Sequence, residues 1–429
     1  MDRFNYREGV LHGEDVDLNA LAAQLGTPLF VYSLGTLAAH FQSLKDAFSP
    51  IDPLICYSVK SCSNLHILKF LVQQGAGIDV VSGGEIYRAL LAGAAPDTIV
   101  FAGVGKSAEE IRYAVESGIH LFNVESQGEL ERIDAIAGEC GRRVKVSIRI
   151  NPDVADAATP QKTSTGGRQT KFGIPVSQAP VLFVPGRYMH LTVEGVHVHL
   201  GSPIHDTGTY LAAIEVIEGL LERVAALGGR VDTLNIGGGF PATYAGGQDA
   251  QGALQAMGAA ICARLRGLKA RGVRFVIEPG RSISANAGVL LTRVEYIKQG
   301  WDRRIVIVDA GMNVLLRPTL YGAHHTIWPV SHTDFSGHWS VAAQAPSETV
   351  DVVGPICETG DYLALARDLP VVDQGALLAV FSAGAYAMSM ASQYNSRPRP
   401  AEVVVQGKAH RVVRRREGYA DLVEAEEGC

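Results

Sequence analysis

The sequence predicts a (β/α)8 barrel joined to a second, all-β domain. Eight short apolar, β-branched runs alternate with helix-like segments over about 250 residues, which is the usual size of such a barrel. Apolar strands between amphipathic helices are typical of a parallel sheet with both faces covered. Past residue 286 the helical rhythm ceases, and strand-like runs joined by turns follow. A doubly wound open sheet is the alternative for the first part.

The predicted elements follow in a regular order. After a polar start, LNALAAQLG is predicted as a short helix and TPLFVYS as a strand. The helix in NLHILKFLVQQG has one apolar face, formed by Leu65, Leu68, Leu71 and Val72. In SAEEIRYAVESG, the first residue, Ser107, is the predicted N-cap of a helix whose first turn contains two acids. The eight predicted barrel strands span residues 54–60, 77–82, 98–103, 121–126, 145–152, 193–200, 233–239 and 274–280.

The domain limits follow from this order. We expect a barrel domain at residues 34–285 and an all-β domain made of residues 1–33 and 286–429. Runs such as GVLLTRVEYIKQ, RRIVIVDA and AEVVVQG predict antiparallel strands in the second domain. Residues 153–185 form a polar, Gly- and Thr-rich insertion after the fifth strand, and loops of this length often form the lid or rim of a site.

Composition excludes several classes of protein. A hydrophobic content of 47% with 19% charged residues is typical of a compact globular chain, not a disordered or fibrous one. The net charge of -6 gives no general attraction to nucleic acid or anionic lipid, so small molecules are the expected partners. The N-terminus has no basic segment followed by an apolar core, and residues 375–388, the most apolar stretch, are too few to span a bilayer. We therefore expect a cytoplasmic protein.

Three minor features are predicted to be structural. The cysteines lack a C-x-x-C pair, which argues against a zinc site or a disulfide framework, so we expect mostly buried thiols at Cys56, Cys62, Cys140, Cys262, Cys357 and Cys429. The basic run at residues 414–416 is predicted to be a solvated edge strand. His324 and His325 are predicted to be packing or interface residues.

Side chains suited to chemistry stand where predicted strands end, which is where a barrel builds its site. Lys60 closes the first strand; such a lysine is often a solvated cap, but a semi-buried amine with a lowered pKa can react with an aldehyde. The stretch IEPGRS follows the eighth strand. Its Glu278 could hold the protonated nitrogen of a pyridine ring, Gly280 lets backbone N–H groups approach a phosphate, and Arg281 adds positive charge. E-P-G is also an ordinary turn.

Two further strand ends carry candidate residues. His197 and His199 in GVHVHLGS share a face, but no third ligand stands nearby, so no metal is expected. A single imidazole at His199 suits stacking on a flat cofactor ring; the alternative is a hydrogen-bonded core histidine. The three glycines of NIGGGFP predict a tight turn of exposed N–H groups that binds phosphate, or else a plain flexible loop. No G-x-G-x-x-G follows the first strand, and no Walker lysine follows these glycines.

Taken together, nine ordered motifs resemble those of the fold-type III decarboxylases that depend on pyridoxal 5′-phosphate. They cover almost the whole chain and read YSVK, GIDVVSGGE, STGGRQTKFGI, HVHLGS, NIGGGFP, EPGRS, RPTLYGAHH, CETGD and GAYAMSMASQYNSRPRPAE. The resemblance implies that Lys60 attaches the cofactor covalently, that His199 stacks on its ring, and that Glu278 pairs with the ring nitrogen. It implies further cofactor contacts from Asp79, Ser202, Gly237, Gly238, Gly239, Gly280, Arg281 and Tyr386.

The resemblance also implies roles for the second domain. Cys357 in CETGD would be the catalytic proton donor, which this family supplies across a dimer interface, so a homodimer with shared active sites is expected. Without the resemblance, Cys357 is expected to be a buried packing residue. The substrate shell is implied to contain Arg281, Arg317, Tyr321, Glu358 and Tyr386.

The substrate follows from the charges in that shell. Arg281 and Arg317 offer two guanidinium groups for a carboxylate at the far end of the substrate, and Glu358 could pair with a distal ammonium. A ligand with both groups is an amino dicarboxylic acid such as meso-diaminopimelate, whose decarboxylation gives L-lysine in the last step of lysine biosynthesis. An ornithine or arginine decarboxylase would be expected to carry acids in place of Arg317. The alternative role of Arg317 is a salt bridge with no part in substrate binding.

Three rival functions remain open. The family usually reads H-I-G-S-Q where this chain has Leu200 and Pro203, which leaves room for a relative acting on a D-configured or carrier-bound amino acid. An amino-acid racemase on the same barrel would place an arginine at the ring nitrogen, and Glu278 argues against it. A catalytically idle cofactor-binding homologue would have no chemical need for the Cys357 thiol.

Overall fold

The computed structural model describes residues 2–246, 248–333, 335–340 and 347–427. The chain divides into two compact units. The β unit comprises Met1–His40, Ala242–Asp249 and Ile283–Cys429, and the barrel unit comprises Phe41–Pro241 and Ala250–Ser282.

The β unit begins with short strands and one helix. These are β1 (Phe4–Arg7), β2 (Val10–Gly13), β3 (Val16–Asp17), α1 (Leu18–Leu25) and β4 (Leu29–Ser33). Asp17 caps α1, because its Oδ1 accepts hydrogen bonds from the N–H groups of Asn19 and Ala20 at 2.7 and 3.0 Å. The helix and the strand predicted in this region are confirmed.

The barrel unit contains the predicted eight-stranded parallel barrel. The eight barrel strands are β5 (Leu54–Ser58), β6 (Gly77–Val80), β7 (Ile99–Phe101), β8 (Leu121–Val124), β9 (Val144–Asn151), β11 (Leu191–His197), β12 (Thr233–Asn235) and β13 (Arg274–Ile277), and β10 (Ile174–Pro175) is a further short strand. The barrel closes because β13 pairs with β5 and β8 pairs with β9, all in parallel. The short β10 pairs with β9 outside this ring.

Each barrel strand ends before its predicted run does. Val59 and Ile236 are apolar and fully buried. Because they are apolar, the predicted strands were extended through them. In the structure they already belong to the turns that leave β5 and β12, because the ladder ends at Ser58 and Asn235. Burial and strand pairing thus end at different residues.

Helices cover the outside of the strands. They are α2 (Leu34–Phe48), α3 (Leu65–Gln73), α4 (Gly83–Leu91), α5 (Ala108–Ser117), α6 (Gln127–Glu139), α7 (Thr207–Ala226) and α8 (Ala250–Ala270). The one-turn helix α9 (Arg281–Ser284) instead follows the carboxyl end of β13. Ser107 caps α5 as predicted, in a capping box with Glu110. The buried face of α3 differs from the prediction: it is centred on Ile67, Leu68 and Leu71, and Leu65 and Val72 lie half-buried at its edges.

The rest of the β unit is mainly strands. They are β14 (Gly288–Gln299), β15 (Arg304–Val308), β16 (Ile327–Pro329), β17 (Gly337–His338), β18 (Glu348–Val353), β19 (Tyr362–Leu369), β20 (Leu377–Val380), β21 (Ala401–Gln406) and β22 (Ala409–Arg414). The short helix α10 (Arg317–Tyr321) lies between β15 and β16, and α11 (Tyr419–Val423) follows β22. Together these elements confirm the predicted second domain of β-strands.

Two sheets form in this unit, and not every pairing is antiparallel. One has the order β17-β1-β2-β3, and the other runs β19-β18-β15-β14-β4-β21-β22 with β20 and β16 attached through β14. The prediction of purely antiparallel strands is wrong for two pairs, because β4 pairs with β21 and β15 with β18 in parallel. Parallel strands cannot be joined by a short turn and need a long connection. In both pairs a long stretch of chain separates the two strands.

The minor structural predictions have mixed outcomes. None of the cysteines in the described part of the chain forms a disulfide; Cys140 is half-buried, Cys357 is exposed and the other three are buried. Cys429 lies outside the described residues. The prediction of an edge strand for the basic run is correct only for Arg414, because β22, at the edge of its sheet, ends there and Arg415 and Arg416 follow it. Nε of Arg414 donates to Oε2 of Glu402 at 2.6 Å. No helix in the described ranges is long and apolar enough to cross a bilayer.

Candidate active site

The predicted site residues of the barrel unit lie at or just beyond the carboxyl ends of its strands. Glu278 follows β13 directly, His199 stands two residues after β11, and Asp79 lies within β6. Lys60 does not close β5 as predicted but lies on the 3₁₀ turn Val59–Ser61 that follows it. These four side chains therefore sit at the face where barrels of this kind place their chemistry.

Glu278 is the centre of a buried polar cluster. Its Oε1 accepts hydrogen bonds from the amide nitrogens of Asn123 at 2.9 Å and Asn235 at 2.6 Å. Its Oε2 lies 3.2 Å from Nε2 of His197, which is fully buried. Three strands, β8, β11 and β12, thus each supply a donor to this one carboxylate.

Asp79 and Lys60 form a second polar contact in the barrel. Oδ2 of Asp79 accepts a hydrogen bond from the Ser58 hydroxyl at 2.6 Å and lies 3.7 Å from Nζ of Lys60. The other carboxylate oxygen, Oδ1, is buried and has no hydrogen-bond partner among the described residues. Lys60 itself is 38% exposed, so its amine reaches the surface of the site.

The two carboxylates differ in acidity. Burial raises the pKa of Glu278, but the charge and hydrogen bond of His197 and the charge of Lys60 outweigh it, so the pKa lies well below its usual range. Burial and the negative charge of Glu278 raise the pKa of Asp79 to about 8, against the opposing effects of Lys60 and the Ser58 hydrogen bond. Glu278 is thus the carboxylate that keeps its charge at neutral pH.

His199 is a neutral imidazole in a fixed orientation. Its Nδ1 accepts a hydrogen bond from the N–H of Gly238 at 3.1 Å, which places the ring proton on Nε2. Its backbone carbonyl accepts a hydrogen bond from the Thr165 hydroxyl at 2.7 Å. Burial, with the nearby charges of Lys60 and Arg149, holds the pKa of His199 well below its usual value. An uncharged flat ring suits stacking against another ring.

The two histidines of GVHVHLGS do not act as a pair. His197 bonds Glu278, whereas His199 bonds the glycine turn. Across the described residues, no group of three or more His, Cys, Asp or Glu side chains could hold a metal ion.

The glycine turn of NIGGGFP is closely packed. Gly237 has a φ of +70°, which favours glycine, and a Cβ at Gly238 would collide with the carbonyl oxygen of Glu278. The expectation of a row of exposed N–H groups is wrong for two of them. The N–H of Gly237 donates to Oδ1 of Asn235 at 2.9 Å, and that of Gly238 donates to His199. These two glycines therefore orient neighbouring side chains.

Ser202 and Arg281 meet beside this turn. Nε of Arg281 donates to the Ser202 hydroxyl at 3.0 Å, and its Nη2 donates to the Ser202 carbonyl at 3.3 Å. Gly239, with a φ of +105°, ends the turn, and a Cβ on Gly280 would lie 3.0 Å from Cβ of Ser58. A buried guanidinium, a hydroxyl and two closely approached glycines form a setting suited to an anion.

Part of the insertion is bound to the segment that carries the sequence departures. The N–H groups of Thr165 and Gly166 donate to the carbonyl of Leu200 at 3.0 and 3.1 Å. The Thr159 hydroxyl donates to the carbonyl of Pro203 at 2.6 Å. We call residues 159–166 the rim. It holds Leu200 and Pro203 through their carbonyl groups, which do not depend on the side chain at either position.

In the β unit, Cys357 and Glu358 lie in one exposed loop. The N–H of Cys357 donates to Oδ1 of Asn395 at 2.8 Å. Glu358 forms a hydrogen bond with the Tyr394 hydroxyl, and this raises the pKa of Tyr394. The loop therefore presents a thiol and a carboxylate side by side on the surface of the chain.

Asp361 fixes the base of the Cys357 loop. Its two carboxylate oxygens accept hydrogen bonds from the N–H groups of Met312 and Ile356, both at 2.6 Å. Its side chain is buried, which raises its pKa more than these two bonds lower it. This acid was not predicted, although it is the last residue of the motif CETGD.

The remaining predicted residues also lie in the β unit. Arg317 begins α10, is 6% exposed and contacts His325; Tyr321 ends the same helix. Tyr386 has a φ of +54°, a conformation that is uncommon outside glycine. It packs against a small apolar cluster of Ala242, Ala285 and Ala385.

The hydrogen-bond partners of Glu278 were not predicted from the sequence. Asn123 and Asn235 are amides in otherwise apolar strands, and both are completely buried. Buried amides need partners, so their positions near strand ends were a usable signal. His197 was considered only as a metal ligand.

Comparison with known proteins gives consistent matches. Residues 34–285 match the family described as pyridoxal-dependent decarboxylase, pyridoxal binding domain. The chain is 42% identical over 420 residues to the diaminopimelate decarboxylase of Aquifex aeolicus, covering 98% of this chain and 96% of that one. It is 44% identical to the diaminopimelate decarboxylase of Pseudomonas aeruginosa, with 99% of both chains covered.

Solved structures agree with these matches. Diaminopimelate decarboxylase from Helicobacter pylori, complexed with L-lysine, superposes with a TM-score of 0.87 at 38% identity, covering 96% of this chain and 99% of that chain. The enzyme from M. jannaschii, in co-complex with L-lysine, superposes with a TM-score of 0.90 at 32% identity, covering 100% and 98%.

Proposed function

This chain belongs to the diaminopimelate decarboxylase family of pyridoxal-dependent decarboxylases, and we propose from that membership that it converts meso-2,6-diaminopimelate into L-lysine and CO2. This reaction ends lysine biosynthesis. The observation that carries the proposal is the buried, ionised Glu278 with its three donors, because such a carboxylate suits a protonated pyridine ring.

The barrel residues fit pyridoxal 5′-phosphate. The buried Oδ1 of Asp79 and Nδ1 of His197 lack hydrogen-bond partners among the described residues, so polar groups remain to be satisfied there. We propose that Ser202, Arg281, Gly239 and Gly280 hold the phosphate group, that Gly237 and Gly238 fix the shape of the turn beside it, and that Tyr386 also binds the cofactor. When bound, the cofactor supplies an electron-accepting ring that stabilises the charge left on the α-carbon as CO2 departs.

The side chains then have separate tasks. Lys60 offers a partly exposed amine for covalent attachment of the cofactor and for exchange with the substrate amine. Glu278 holds a proton on the ring nitrogen by remaining charged, and His199 presents an uncharged face to the ring. The thiol of Cys357 delivers the proton to the α-carbon.

Substrate choice rests on the arginines. We propose that Arg317, with Arg281 and Tyr321, binds the carboxylate that the product keeps, and that Glu358 binds the distal ammonium. The full-length similarity to diaminopimelate decarboxylases supports this substrate over ornithine, arginine, or a D-configured or carrier-bound amino acid.

A substrate panel tests the proposal. We expect CO2 release from meso-diaminopimelate and none above background from ornithine, arginine or lysine, because only the first offers two carboxylates. The measurement is CO2 evolved by the purified holoenzyme with each compound at equal concentration. Faster release from any basic monocarboxylate would overturn the substrate assignment.

We further propose a homodimer with shared active sites. The loop with Cys357 and Glu358 is exposed, as are its neighbours Tyr394 and Asn395. An exposed proton donor must be shielded from water to act selectively. A second copy of the chain would shield it and bring it to the partner's barrel.

Subunit mixing tests the sharing. Lys60→Ala and Cys357→Ala are each expected to be nearly inactive, but a mixed dimer regains one intact site when sites are shared. After random reassortment of equal amounts we expect about a quarter of wild-type activity. The measurement is diaminopimelate turnover after mixing, with each variant alone as the control. No recovery, despite exchange of subunits shown by differently tagged chains, would contradict shared sites.

A cytoplasmic location also belongs to the proposal. It is supported by the absence of disulfides among the described cysteines, since a reducing compartment keeps thiols reduced.

A further inference from the structure

His325 was predicted to be a packing or interface residue, but its contacts indicate a more specific task. Its side chain is completely buried in the β unit. Nδ1 lies 2.8 Å from the carbonyl oxygen of Phe381, and Nε2 lies 2.7 Å from Nη1 of Arg317. Both ring nitrogens are thus used.

These two partners determine the protonation of the ring. A carbonyl oxygen can only accept a hydrogen bond, so Nδ1 carries the proton. A guanidinium can only donate, so Nε2 offers its lone pair to Arg317. Only the neutral imidazole protonated at Nδ1 satisfies both neighbours at once.

A second contact holds the face of the guanidinium. Cζ of Arg317 lies 4.7 Å from the centre of the Tyr244 ring, within the range of a cation–π interaction. The Tyr244 ring meets the edge of the His325 ring at 5.5 Å and an interplanar angle of 89°. Arg317 is therefore held by a hydrogen bond at one end and by an aromatic ring against its plane.

The main chain around His325 is fixed as well. Nη1 of Arg367 donates to the His325 carbonyl at 2.7 Å. The Thr326 hydroxyl donates to the Tyr244 carbonyl at 3.1 Å. The ring and the tyrosine that together hold Arg317 are thus anchored to each other through adjacent residues.

We propose that His325 and Tyr244 are positioning residues that fix the Arg317 guanidinium for the second carboxylate of the substrate. This inference rests on the proposed function, in which Arg317 binds that carboxylate. An arginine with a fixed plane loses little freedom when it binds, so it distinguishes a dicarboxylate from a monocarboxylate more sharply than a mobile one.

Paired variants of His325 test the proposal. His325→Asn keeps a donor for Phe381 but removes the acceptor for Arg317, and we expect KM for meso-diaminopimelate to rise about tenfold with kcat changed less than about threefold. His325→Gln keeps an acceptor near Nε2, and we expect KM within about threefold of wild type. The exposed His410 on β22 supplies the control, His410→Gln, for which both constants should be unchanged.

A second pair of variants, at Tyr244, tests the inference independently of His325. Tyr244→Leu removes the ring below the guanidinium and should raise KM, whereas Tyr244→Phe keeps the ring and should not. Holoenzyme melting temperatures establish that each variant folds. An unchanged KM in both His325→Asn and Tyr244→Leu would overturn the inference. In that case Arg317→Met separates two conclusions: a raised KM leaves the proposed function intact, and an unchanged KM removes Arg317 from the substrate site as well.

Discussion

Lys60→Ala is expected to lower turnover of meso-diaminopimelate by at least about a thousandfold, because no other group replaces a lost nucleophile. The amine of Lys60 stands on a turn at the mouth of the barrel, 3.7 Å from Asp79, and is partly exposed. The same change should remove the yellow absorption that covalently attached pyridoxal 5′-phosphate gives. The two measurements are steady-state kinetics and the visible spectrum of the purified protein.

Two companion variants make this result specific. Lys60→Arg keeps the positive charge beside Asp79 but lacks a nucleophilic amine, so it should be as inactive as Lys60→Ala. Lys69→Ala removes an exposed lysine from α3 and should change neither activity nor colour. A Lys60→Ala protein that stays yellow would remove Lys60 from its role.

Glu278→Gln is expected to lower kcat by about a hundredfold or more, since the ring nitrogen would lose the charge that keeps it protonated. Glutamine has nearly the same shape and can still accept from Asn123 and Asn235, so the barrel should remain folded. The measurements are kcat with meso-diaminopimelate and the melting temperature of the holoenzyme. Cofactor content should stay close to that of the wild type.

Glu194 offers a matched carboxylate away from Glu278. It is also buried, lies in the middle of β11, and accepts a hydrogen bond at 2.8 Å from Arg274, the first residue of β13. Glu194→Gln removes the same charge at the end of β13 opposite to Glu278 and should leave kcat within about threefold, with any loss appearing in stability. Equal losses of kcat in the two variants would mean that Glu278 acts only through folding.

The fold was predictable because its signal is local. Apolar runs separated by amphipathic helices predict each βα unit from its own residues. The parallel pairing of β4 with β21 left no such signal, since it joins residues about 370 positions apart and depends on the whole β unit. Strand ends were also misplaced, because Val59 and Ile236 are as buried as true strand residues.

For the candidate site, the main residues were predictable from the sequence, but the residues that hold them in place were not. Lys60, His199 and Glu278 stand at strand ends, and their positions follow once the barrel is recognised. What holds them was less accessible, because Asn123, Asn235 and His325 contact residues distant in sequence, and only the folded chain brings these partners together. A histidine predicted to be a packing residue thus forms a hydrogen bond with an arginine of the proposed substrate site.

The rim, residues 159–166, makes several of its contacts through main-chain groups: the N–H groups of Thr165 and Gly166 bond the Leu200 carbonyl, and the Thr163 carbonyl accepts from the Ser202 N–H. Such bonds do not depend on the side chains of Thr163 and Thr165, but Gly166 has no room for a side chain, because a Cβ there would collide with the Val154 carbonyl oxygen. The adjoining Arg168, Gln169 and Lys171 are exposed. Substitutions at these three positions are therefore expected to leave the main-chain bonds of the rim in place.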